Sequence, residues 1–139
     1  MEKTFEIIDH TADIGITSYG TDIKQVFSNT ALGLFSLITE LDNIKENVQR
    51  YIGISSQDRE SLLVEWLNEL LYIFDVDHIV FKRFEFDDLN ERELKVKCFG
   101  DKINPKQQEI KREVKAATYH MLSIKKENNG FKAQVIFDI

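Results

Sequence analysis

Between Leu62 and Phe74 the chain carries Leu62, Leu63, Trp66, Leu67, Leu70, Leu71 and Phe74, two adjacent apolar rows at helical spacing. A helix with a face this broad needs an equally broad partner, and a sheet supplies one. Ser55 and Ser56 offer capping hydroxyls ahead of it, and Asp58 and Glu60 sit in its first turn, where the helix dipole favours acids. A second stripe, Ile23, Val26, Phe27, Thr30, Leu34, Phe35 and Ile38, predicts an earlier helix, with Asp22 as N-cap and Gln25 three residues on.

The remainder reads as strands. Phe5–Ile8 and Asp13–Tyr19 flank the polar turn 9–12, and Glu46–Ser55 follows the first helix. Ile79–Phe86 and Glu93–Phe99 flank the polar stretch 87–91. Thr118–Lys126 and Phe131–Ile139 flank Asn128-Asn129-Gly130, which predicts a hairpin. Asn104-Pro105 suits the start of a short helical turn. The expected architecture is α+β: one domain over residues 1–139, with a mostly antiparallel or mixed sheet and two amphipathic helices packed on it.

Composition narrows the function. A chain of 139 residues buries about 65–70% of its unfolded surface and needs no disulfide to hold a core. A single cysteine, Cys98, permits no intrachain disulfide and suits a reducing, cytoplasmic compartment. No apolar run resembles a signal peptide or a membrane span. The net charge of −6 disfavours general nucleic-acid binding, so any RNA is expected to be held by a partner. No glycine-rich phosphate loop and no nucleophile elbow is present.

Two short polar segments and the last residues carry the chemistry. In Asp13–Tyr19, period 2 sets Asp13 on the face opposite Ile14 and Ile16; in the last strand Asp138 lies opposite the row Phe131, Ala133, Val135 and Phe137. If the fold joins them, two aspartates and the Ile139 α-carboxylate make an all-oxygen site for Ca²⁺ or Mg²⁺. Zinc is disfavoured, because Cys98 sits on an apolar row and no histidine pair has a zinc spacing. His10, in the turn, and His120, near the end, have the side chain suited to proton transfer, or simply hold their local structure. Lys115 follows Lys111 and Arg112 in a basic stretch that is either solvated or close to an anionic site. On a straight strand Lys115 and His120 face opposite sides, so both reach one site only across a bend or bulge.

Four segments resemble the archease family: Asp9-His10-Thr11-Ala12-Asp13-Ile14-Gly15-Ile16, the helix Leu62–Tyr72, Val114-Lys115-Ala116-Ala117-Thr118-Tyr119-His120, and the terminal Asp138-Ile139. Val114 and Ala117 are mild departures from the commoner Ile and Val. The resemblance covers nearly the whole chain. It implies an accessory, non-enzymatic protein of the GTP-dependent tRNA-splicing ligase, promoting guanylylation of that ligase and its multiple turnover. It also implies a metal site at Asp13, Asp138 and Ile139 and a functional role for Lys115. The alternative is a chaperone-like module that keeps a tRNA methyltransferase or another RNA-modifying enzyme soluble.

Overall fold

A computed structural model describes residues 4–9 and 13–139. Among them the order is β1 (Phe5–Asp9), β2 (Asp13–Gly20), α1 (Ile23–Ile38), β3 (Val48–Ser55), α2 (Arg59–Asp77), β4 (Ile79–Leu89), β5 (Glu93–Lys102), β6 (Ala116–Glu127) and β7 (Gly130–Asp138). The class is α+β, as the periodicities predict. The strands divide into two antiparallel sheets, one ordered β1-β2-β7-β6 and the other β3-β5-β4.

Both helices start where local chemistry allows. Asp22 caps α1, its Oδ1 accepting from the Gln25 N–H at 2.8 Å, while the Gln25 side chain accepts from the Thr21 N–H. For α2 the cap is Asp58, accepting from the Ser61 N–H at 2.8 Å, rather than Ser55 or Ser56, which close β3 and begin the following turn. A carboxylate at that point meets both the unpaired amides and the positive end of the helix dipole. The polar stretch after β4 is also shorter than expected. Asp87, Asp88 and Leu89 continue the strand, and Asn90 alone closes the turn by accepting from the Arg92 and Glu93 amides.

α1 lies against β2 of the first sheet and β4 of the second, and α2 lies against β6. Trp66, Phe27, Phe35, Phe81 and Phe137 are fully buried at the centre. Trp66 donates from Nε1 to the Phe27 carbonyl and meets Phe84 and Phe86 edge-on, at 5.4 and 5.6 Å between ring centres. Its one polar atom is therefore satisfied without leaving the core.

After β5 the chain makes a single turn at Asn104, whose carbonyl accepts from Gln107 and Gln108. It then runs past the end of α1. There the Lys111 N–H donates to the Ile38 carbonyl, Lys111 Nζ to that of Ser36, and the Arg112 guanidinium to that of Leu37. The basic stretch is thus a cap for α1, where orphan carbonyls and the negative end of the helix favour cations.

Candidate functional site

β2 and β7 are neighbours in the first sheet, and Asp13 stands directly opposite Asp138. Residues facing one another across an antiparallel pair project to the same side, with Cβ atoms about 4.5–5.5 Å apart. The register therefore brings together the two aspartates that the alternation assigns to the outer face. Ile14, Ile16, Val135 and Phe137 hold the ladder from behind, all at zero exposure.

Two like charges in this position repel one another. Asp138 is exposed, whereas Asp13 is half-buried and its Oδ1 is enclosed with no hydrogen-bond donor among the described residues. A shielded carboxylate oxygen without a donor is costly unless a cation or a proton meets it. Among the described residues the pair offers oxygen donors, which fit a hard divalent ion. Among the described residues, no group of three His, Cys, Asp or Glu side chains is placed to hold a metal. Ile139 directly follows Asp138, and it packs half-buried against the core.

Lys115 enters from the other side. Its backbone N–H donates to the Asp138 carbonyl at 2.8 Å, and Ala116 is the residue opposite Asp138 on β6. Lys115 is itself exposed. A bulge, the condition for Lys115 and His120 to reach one site, is present further on. Thr118 faces Ile136 and Ser123 faces Gln134, so Tyr119–Leu122 occupy a gap that one residue of β7 spans. Met121 takes a left-handed conformation there, with φ of 52°. Tyr119, His120 and Met121 are exposed on this bulge, and the His120 N–H donates to Thr118 Oγ1 at 3.3 Å. His120 thus lies past the last rung before the bulge, while Lys115 lies at the Asp138 end. His10 lies outside the described residues.

Sequence reading missed Asn68, on α2. Its carboxamide donates to the Ala117 carbonyl at 3.3 Å and accepts from the Ala117 N–H at 2.8 Å. The available signal was an asparagine, a poor helix former, inside a leucine-rich helix. Cys98 is fully buried, and burial pushes its thiol far above the ordinary range, so it is not a nucleophile at neutral pH.

The archease protein family's sequence model matches residues 5–139. The protein archease of Methanosarcina mazei is 40% identical over 99% of this chain and 97% of its own length. That of Pyrococcus abyssi is 39% identical over 99% of both. The solution structure of Methanobacterium thermoautotrophicum protein 1598 superposes with a TM-score of 0.83 at 38% identity, over 98% of this chain and 99% of that one. An archease from Thermotoga maritima, described as a possible chaperone, shares the fold at a TM-score of 0.63 and 21% identity. With the family model and full-length relatives in agreement, the chain belongs to the archease family.

Proposed function

We propose that this protein activates a GTP-dependent RNA ligase of the tRNA-splicing type, promoting its guanylylation and repeated turnover through a divalent cation. Asp13, Asp138 and the Ile139 α-carboxylate would hold Ca²⁺ or Mg²⁺. The observation that carries the reading is the rung joining Asp13 to Asp138, with one Asp13 oxygen enclosed and without a donor among the described residues. Three carboxylates around a divalent ion leave a small negative excess, and Lys115, tied by its backbone to Asp138, can balance it or meet a partner's phosphate. The cation supplies electrostatic attraction for nucleotide phosphates. This chain contributes position and charge, and no covalent step is assigned to it. Its net charge of −6 suits docking on a basic ligase without competing for RNA.

The test is multiple-turnover ligation by the cognate ligase, paired with a titration of Ca²⁺ into the isolated protein. Asp13→Asn and Asp138→Asn are each expected to weaken Ca²⁺ binding by at least about tenfold and to remove most of the stimulation. A single glycine added after Ile139 turns its carboxylate into an amide and is expected to weaken binding by a similar factor. Stimulation by Asp138→Ala equal to that of the wild type would sink the assignment. Suppression of client aggregation that survives loss of both aspartates would favour the chaperone-like alternative.

A further inference from the structure

Asn68 lies mid-way along α2, with Leu67 and Leu70 buried beside it. Within a helix an asparagine carboxamide competes for backbone hydrogen bonds. Here it leaves its own helix and pairs with a single residue of β6, taking the Ala117 N–H at 2.8 Å and giving a proton to the Ala117 carbonyl at 3.3 Å. One side chain thereby does for Ala117 what a neighbouring strand would do. Since β6 is an edge of its sheet and Ala117 is only 5% exposed, these two backbone groups have little access to water.

The stretch it grips is short. Before the bulge, β6 pairs with β7 only through Ala116, Ala117 and Thr118. A ladder this brief specifies its register weakly, and a slip of one residue turns each side chain to the other face. Lys115 immediately precedes it, on the Asp138 carbonyl. By contrast, Asp13 and Asp138 end a ladder that runs unbroken from Asp13↔Asp138 to Gly20↔Phe131 and needs no help from α2.

We propose that Asn68 is a positioning residue: its carboxamide locks Ala116–Thr118 in register on β7 and so sets where Lys115 stands relative to the acidic pair. This rests on the reading above that Lys115 acts together with that pair. Loss of the carboxamide should release Lys115 while leaving the two aspartates where they are.

A double-mutant cycle tests it, with Asn68→Ala, Lys115→Ala and the double variant assayed for ligase stimulation, Ca²⁺ affinity and amide hydrogen exchange. Asn68→Ala is expected to lower stimulation by about tenfold, to keep Ca²⁺ affinity within about twofold, and to have no further effect in the Lys115→Ala background. It should also speed exchange of the Lys115 and Ala117 amides. Asn68→Asp, which keeps the acceptor for the Ala117 N–H, should fall between wild type and Asn68→Ala. Full stimulation by Asn68→Ala beside an inactive Lys115→Ala would overturn the proposal. So would equal losses in both backgrounds, or a parallel collapse of Ca²⁺ affinity, since these mark general destabilisation. If Lys115→Ala itself stimulates like the wild type, the role of Lys115 fails and the positioning role falls with it.

Discussion

Asp13 is held in a geometry that costs the protein something when no ion is present. Its enclosed oxygen has no donor among the described residues, and a second carboxylate faces it across the ladder. In EDTA, Asp13→Asn is therefore expected to stabilise the fold by about 1 kcal/mol, by removing the repulsion. In millimolar Ca²⁺ the order should reverse, because only the wild type gains the linkage term from binding. Thermal melts of both proteins in the two buffers check this, and a variant less stable than the wild type in EDTA would contradict it. At this scale the sequence reveals faces: alternation with isoleucines is enough to put Asp13 and Asp138 outward. It does not reveal partners, because the contact between them spans more than 100 residues and leaves no local pattern. Lys111 and Arg112 show the same limit. A basic pair looks alike in sequence whether it is solvated or, as here, covers the end of a helix 75 residues earlier in the chain.

Elements were legible where their signals are local. Alternation and capping chemistry locate both helices and nearly every strand, and Asn128, at φ of 52°, turns the hairpin that Asn-Asn-Gly predicts. The choice of cap for α2 was not legible, since Ser55, Ser56 and Asp58 all carry side chains that can serve. Asp58 accepts the Ser61 amide, and this bond holds its carboxyl below the ordinary value of 3.8. A depressed native value means that the stabilisation is complete above the ordinary value and fades as pH falls through the native one. Asp58→Ala should lower the melting temperature at pH 7, and the gap from wild type should narrow below about pH 3.8; a gap constant with pH would exclude the carboxylate as its source. The second sheet makes a sharper demand on its central strand. A Cβ at Gly100 would lie 2.0 Å from the Val80 carbonyl oxygen, next to the bulge between Phe81 and Arg83, whereas at Gly53 nothing comes closer than 4.0 Å. Gly100→Ala is expected to cost at least about 2–3 kcal/mol in chemical denaturation, and Gly53→Ala to stay within about 1 kcal/mol.

At the scale of the molecule, the seven strands among the described residues share one buried core drawn from both sheets. The division into four and three was invisible in the sequence, because alternation reports which side of a strand is covered and says nothing of which strand lies alongside. The sheet order has a temporal consequence. β7 is inserted between β2 and β6, so the earliest-made part of the first sheet is completed by the part made last. A nascent chain must carry β2 with one edge bare while more than a hundred further residues are synthesised, a hazard for sticking to other chains. The aspartate pair consequently stays incomplete until β7 has been synthesised, and a half-made molecule owns only one of its two carboxylates.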